Sequence, residues 1–131
     1  MKKFYIASGF TNKETVQQAA TTLKSVGFVH TYDWTKNEKA NTVEQLREIG
    51  TDELKAVKES DFILVILPGG NGTHVELGIA LAAYKRVYLY AKNEEDFLNT
   101  TFYHVDGVVH LTGEMEIVMN HVIQAEQSMG K

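Results

Sequence analysis

The stretch Phe62-Ile63-Leu64-Val65-Ile66-Leu67-Pro68-Gly69-Gly70-Asn71-Gly72-Thr73-His74-Val75-Glu76-Leu77-Gly78 decides the fold. It opens with six consecutive apolar residues, Phe62 to Leu67, a run of strand length bounded by turn residues. A strand apolar on both faces needs cover on both sides, which marks a central strand of a parallel sheet. Pro68 and the glycines then interrupt it. From Val75 to Tyr84 the chain is apolar nearly all round, which predicts a largely buried helix. The unit is therefore strand, glycine loop, helix, with the first free N–H groups of the helix turned toward the loop.

The same alternation extends in both directions. Phe4 to Ser8 reads as a buried strand ending at Gly9. Thr11-x-x-Glu14 has the spacing of a capping box, and Val16, Ala19, Ala20, Leu23 and Val26 form a helical stripe behind it. Phe28 to Tyr32 reads as a second short strand. Thr42-x-x-Gln45 opens another helix, with Leu46, Ile49, Leu54 and Val57 turned inward and Gly50 as a bend or break. After the glycine loop and its helix, Val87 to Ala91 and Val108 to Leu111 are strands four and five. Residues 92 to 106 make a loop with a short helix, and Met115, Val118, Met119 and Val122 mark the last helix. Strands alternating with helices predict a single α/β domain over residues 1–131, a doubly wound five-stranded parallel sheet. With right-handed crossovers the favoured strand order is the flavodoxin-like (Rossmann-like) 2-1-3-4-5.

Composition narrows the function. The 131 residues carry no Cys, one Pro and a formal net charge of −4. Without Cys there is no disulfide framework, no Cys-zinc site and no thiol nucleophile, and the chain suits a reducing cytoplasm. The acidic balance argues against a nucleic-acid footprint. No apolar stretch has the length of a membrane span, and the run after Met1-Lys2-Lys3 is too short for a signal peptide. His30, His104, His110 and His121 show no metal-ligand spacing and read as surface or strand-end residues, so neither a metal nor another cofactor is expected.

In the 2-1-3-4-5 order the ligand crevice lies beyond the carboxyl ends of strands one and three. Three segments meet there: Ser8 to Lys13, Tyr32 to Lys36, and Pro68 to Glu76. The glycines at 69, 70 and 72 permit positive φ and close backbone approach to a phosphate or polar sugar. The loop lacks the Gly-Lys-Ser/Thr of a P-loop and the spacing of the dinucleotide fingerprint. Glu76 has two readings. Thr73-x-x-Glu76 is itself a capping-box spacing, in which the carboxylate would bond the Thr73 N–H. Alternatively, the carboxylate is held ionised in the crevice and attacks a sugar C1. Trp34 either stacks a base or covers the core, and Asp33 either meets the ligand or caps its loop. Gly9 borders the first loop, where Ser8 and Lys13 would meet a phosphate, with solvent as the other reading of Lys13. His74 either donates to a leaving base or faces water.

Glu76-Leu77-Gly78-Ile79-Ala80-Leu81-Ala82 with Lys85-Arg86-Val87, together with Asp33-Trp34-Thr35 and Glu53-Leu54 eight residues before Asp61, resembles the nucleoside 2-deoxyribosyltransferases. The resemblance implies exchange or hydrolysis of the N-glycosidic bond of a (deoxy)nucleoside. It implies a nucleophilic role for Glu76, a sugar-hydroxyl contact for Glu53, and a position beside the nucleophile for Tyr5. It also implies a homo-oligomer in which an asparagine, best matched by Asn99, reaches a neighbouring site. One departure is Gly70, where those enzymes carry an aspartate that manages the base; His74, Asp33 and Asp61 are the possible substitutes. Pro68-Gly69-Gly70-Asn71-Gly72-Thr73-His74-Val75-Glu76 also resembles the PGGxGTxxE motif of the cytokinin-activating phosphoribohydrolases, which cut nucleoside 5′-monophosphates. This chain lacks their glycine-rich first loop and their Arg-Lys pair. Both resemblances meet at Glu76. The remaining expectation is a non-catalytic nucleotide-binding module using the same crevice.

Overall fold

The strands are β1 (Lys3–Ser8), β2 (Val29–His30), β3 (Phe62–Ile66), β4 (Arg86–Tyr90) and β5 (Val108–Leu111), in a computed structural model that describes residues 2–129. They form one sheet in the order β2-β1-β3-β4-β5, with every neighbouring pair parallel. The helices are α1 (Lys13–Ser25), α2 (Val43–Glu59), α3 (Asn71–Ala82) and α4 (Met115–Ser128). Helices α1 and α4 pack together on one face, and α2 and α3 on the other. This is the flavodoxin-like α/β arrangement that the alternating pattern predicts.

The centre of the sheet explains the apolar runs. All five residues of β3 are buried, as are Phe4 to Ala7 of β1. Burying each large apolar side chain there contributes about 1.5–3 kcal/mol. Phe62 is the hub at the amino end, meeting Phe4, Phe28 and Tyr88 at ring-centroid distances of 6.1, 5.8 and 5.7 Å. Asp61 is structural: its Oδ2 accepts from the Lys3 N–H at 2.8 Å. That tie takes Asp61 out of the candidate site, at the opposite end of the sheet.

Several local expectations need correction. Helix α3 starts at Asn71, four residues before the expected Val75. Thr73 reaches back to accept from the Gly70 N–H at 3.1 Å, so the cap falls one register earlier than the Thr73–Glu76 spacing suggests. The outer side of α3 is not buried, since Val75 and Gly78 face solvent. Thr11 caps nothing: residues Phe10–Asn12 form a 3₁₀ turn, and Asn12 precedes α1 without a side-chain cap. Strand β2 is only two residues long, because after Thr31 the chain turns inward to place Trp34. Residues 92–106 hold two 3₁₀ turns, Glu94–Asn99 and Thr101–His104.

Helix α2 departs most. Its Thr42–Gln45 capping box forms as expected, but Gly50 neither bends nor breaks it. Leu46 and Leu54 are exposed rather than inward, and only Ala56 and Val57 are buried. The helix is far longer than the strands beside it, so its first half overhangs the carboxyl edge of the sheet. That overhang makes one wall of the crevice described next. Among the described residues, no helix is long and apolar enough to cross a membrane.

Candidate functional site

A cavity of about 730 Å³ opens at the carboxyl ends of β1 and β3. The first loop, the segment after β2, the overhang of α2 and the first turns of α3 enclose it. Its polar floor centres on Glu76. This carboxylate lies in the second turn of α3, where the early helix start has carried it, and is 8% exposed. It does not bond the Thr73 N–H. Instead Glu76 Oε2 accepts from the Tyr5 hydroxyl at 2.8 Å. Tyr5 is fully buried on β1 and approaches Glu76 from beneath the cavity rather than from its wall. Glu53 descends from α2 into the same cavity and comes within hydrogen-bonding reach of Glu76.

The charge state of this group follows from its surroundings. Burial pushes the Glu76 carboxyl up to about 8; the Tyr5 hydrogen bond works against that rise, and the neighbouring Glu53 adds to it. Burial likewise raises Glu53. Burial and the two carboxylates push Tyr5 far above the ordinary phenol range, so its hydroxyl stays a donor. No ion pair reaches either carboxylate: the ion pairs among the described residues are Lys2–Glu126 and Arg86–Glu126, at the other end of the sheet.

The glycine loop is shaped by closeness, not by positive φ, since the left-handed glycines are Gly27, Gly107 and Gly113. A side chain at Gly69 would meet Thr73 within 2.5 Å. One at Gly9 would meet the Pro68 carbonyl oxygen at 2.9 Å, which is the oxygen that accepts the Gly9 N–H at 3.2 Å. Gly70 and Gly72 have open space around them and present bare backbone to the cavity. Ser8 borders the cavity, but its hydroxyl donates to Ile66 O at 2.7 Å and accepts from Asn12 Nδ2 at 2.9 Å. Asn12 also donates to Pro68 O at 3.1 Å, clamping the first loop to the glycine loop.

Trp34 lines the cavity from a buried position, its indole N–H donating to Ile6 O at 2.7 Å. Phe10, 85% exposed on the rim, meets it edge-to-face at 5.8 Å. Asp33 is a loop cap outside the cavity. Its Oδ1 accepts from the Thr35 N–H at 3.0 Å and from the Thr35 hydroxyl. Burial would raise the Asp33 carboxyl, but these bonds outweigh it and hold the group low.

Of the residues singled out from sequence, the cavity gathers Ser8, Gly9, Trp34, Glu53, Gly70, Gly72, Thr73 and Glu76, with Lys13 beside them. Gly69, His74 and Asn99 do not line it. His74 instead bonds Gly70 O at 2.8 Å and the Tyr103 hydroxyl at 2.6 Å, strapping the Thr101–His104 turn to α3. Asn99 is exposed. His30 ends β2, as the strand-end reading expects, and is half-buried: it stacks on Phe4 at 4.6 Å, neither ring nitrogen has a partner among the described residues, and burial lowers it to about 4. Among the described residues, no group of three or more His, Asp or Glu could hold a metal ion.

Sequence reading missed Phe10, Lys39 and the crevice role of Leu46 and Ile49. The two α2 residues carried a signal, an apolar stripe, but the stripe was read as core. For Phe10 the signal was its place directly after the strand-end Gly9. Lys39 carried none, lying in an irregular segment.

A doubly wound sheet with one buried and one half-buried carboxyl at its switch point defines a class of α/β crevice proteins suited to a polar ligand. The chain matches the family Nucleoside 2-deoxyribosyltransferase over residues 4–126, and it belongs to that family. Members of the family act on N-glycosidic bonds as glycosyltransferases or N-glycosidases. Two solved structures share the fold. One is the CMP N-glycosidase of Clostridium botulinum, with a TM-score of 0.67 and 17% identity over 92% of this chain and 98% of that chain. The other is the 2-deoxyribosyltransferase of Bacillus psychrosaccharolyticus, with a TM-score of 0.65 and 22% identity over 90% of each chain. Among curated proteins, none matches the chain.

Proposed function

We propose that the protein cleaves or exchanges the N-glycosidic bond of a (deoxy)nucleoside, with Glu76 as the nucleophile. The observation that carries this reading is a buried carboxylate at the floor of a cavity, in no ion pair among the described residues and oriented by the Tyr5 hydroxyl at 2.8 Å. Tyr5 occupies Oε2 and leaves Oε1 to attack C1′. The C1′–O bond forms as the C1′–N bond breaks, and the base leaves with the bonding pair. Water or a second base then attacks C1′ and releases Glu76. Phe10 and Trp34 supply an aromatic wall for the base, and Glu53 a partner for the sugar hydroxyls. A homo-oligomer would cover the exposed Val75 of α3 and Tyr84. Incubation with deoxynucleosides, with and without an acceptor base, tests the reading. Base release by the wild type and its loss in a folded Glu76→Ala variant are expected. Unchanged release by that variant overturns the assignment.

A second reading, a nucleoside 5′-monophosphate N-glycosidase, rests on Lys13 and Lys39. Both line the cavity, while Gly70 leaves it without the aspartate of the transferases. The fold similarity to a CMP N-glycosidase of nearly equal length is in keeping with it. Cleavage of monophosphates but not of free nucleosides selects this reading. Binding of either without product would leave the non-catalytic module.

A further inference from the structure

We propose that Glu53 and Glu76 hold one proton between them, and that Glu53 takes this proton when Glu76 acts. Glu53 is then a positioning residue for the charge of its neighbour, besides any contact with sugar. The inference rests on the reading of Glu76 as nucleophile.

Two carboxyl groups from different helices, α2 and α3, enter one cavity and lie within hydrogen-bonding reach of each other. Ionised carboxylates are acceptors only, so an approach this close is stable when a proton lies between the two oxygens. The other oxygen of Glu76 is taken by Tyr5, which donates and cannot accept the proton. Among the described residues, no salt bridge reaches either group. The charged and titratable groups that face the pair can be named from each side. Tyr5 comes from β1, Asp52 and Tyr32 lie near Glu53, and Lys13, Glu38 and Lys39 also line the cavity. Asp52 is a like charge and reinforces retention of the proton.

The step balances without an outside acid. In the empty site, the proton on Glu76 is shared toward Glu53. When a sugar C1′ approaches Glu76 Oε1, that oxygen uses its electron pair for the new C1′–O bond, and the proton passes to a Glu53 oxygen. Once Glu76 is released, the proton returns. Glu53 is thus protonated while the covalent bond exists, and its O–H can donate to a sugar oxygen.

The test separates this proposal from the reading it rests on. The carboxyl carbons of Glu53 and Glu76 are followed by carbon-13 NMR against pH in wild type, Glu53→Gln and Glu76→Gln, which needs no substrate. Expected are two coupled steps in the wild type. Glu53→Gln should move the Glu76 step down by about one pH unit, because the amide cannot repel the carboxylate and can donate to it. Glu76→Gln should replace the two coupled steps by a single Glu53 step. Where a substrate is cleaved, Glu53→Gln should shift the acid limb of kcat/KM down by the same amount, whereas a residue that merely held sugar would change KM and leave the limb in place. Independent single titrations that the partner's substitution does not move overturn the proposal, even if Glu76 proves to be the nucleophile. Absence of cleavage on every substrate defeats the functional reading alone.

Discussion

Each end of the sheet buries a glutamate against a tyrosine hydroxyl, yet the two glutamates are held in opposite states. At the carboxyl end, Tyr5 donates to Glu76 at 2.8 Å; at the amino end, Tyr88 donates to Glu126 at 2.6 Å. Glu126 is the more deeply buried, at 0% exposed against 8%. Burial by itself raises both carboxyls. Yet the Glu126 carboxyl lies below the ordinary range, because Arg86 Nε at 2.8 Å and Lys2 Nζ at 3.1 Å also donate to it, along with Tyr88. Glu76 has Tyr5 and a second carboxyl, and is pushed up to about 8. Supply of cationic donors, not depth, decides the charge. Glu126 ties α4 to β4 and to Lys2, just before β1, so its place is structural, whereas Glu76 is kept short of partners at the floor of a cavity.

The comparison is broken most directly by exchanging each carboxyl for an amide. Glu76→Gln should lower cleavage by at least about a thousandfold, since an amide is no nucleophile at C1′. Its effect on folding should be small or favourable. A carboxyl raised to about 8 binds its proton more tightly when folded than when unfolded, so it costs stability as pH climbs from the ordinary carboxylate range through 8. The amide has no such cost. Thermal melts at pH 8 should show Glu76→Gln at or above the wild type, by up to about 3–5 °C. A lower melting temperature together with unaltered turnover would reverse the roles assigned to the two glutamates.

Glu126→Gln should do the opposite. Arg86 and Lys2 lose their anionic partner, and about 2–3 kcal/mol of stability goes with it, less than for a fully buried pair because Arg86 is partly exposed. The contribution of Glu126 is present above the ordinary carboxylate value of about 4.3 and disappears as pH falls through its lowered folded value. Urea melts should therefore show a deficit in Glu126→Gln at pH 7 that narrows toward pH 3. Cleavage per folded molecule should stay at the wild-type level.

The two ends were unequally legible in the sequence. The central strand followed from an apolar run, Phe62 to Leu67, whose burial is enforced on both faces, and the order of the sheet from the alternation of strands and helices with right-handed crossovers. The glycine loop pointed to Glu76, but the capping spacing Thr73–Glu76 misplaced the helix start by a turn. A capping box is a local pattern, and the Thr73 hydroxyl found the nearer Gly70 N–H. The pairing of Glu53 with Glu76 joins residues that meet only through α2 packing on α3, and no local pattern announces it. Glu126 went unread altogether, because its partners Lys2, Arg86 and Tyr88 are scattered along the chain. Leu46 and Ile49 were misassigned to the core for a related reason. A helical stripe records that one face is apolar, not whether the sheet extends far enough beneath it.

Tyr5→Phe gives the finest test of the comparison, since it removes a donor from Glu76 without touching a charge. The Tyr5 hydrogen bond opposes the rise that burial imposes on Glu76, so its loss should carry that carboxyl further up. A nucleophile already raised to about 8 is mostly protonated at pH 7, and each further unit costs about a tenfold loss of the ionised form. Cleavage by Tyr5→Phe should thus fall about tenfold at pH 7 and recover most of that loss near pH 9. The acid limb would move upward, opposite in sign to the shift expected for Glu53→Gln. A pH-independent loss would mean instead that Tyr5 orients Glu76 without setting its charge. The matching change at the other end, Tyr88→Phe, should leave Glu126 ionised at neutral pH, because Arg86 and Lys2 still donate to it.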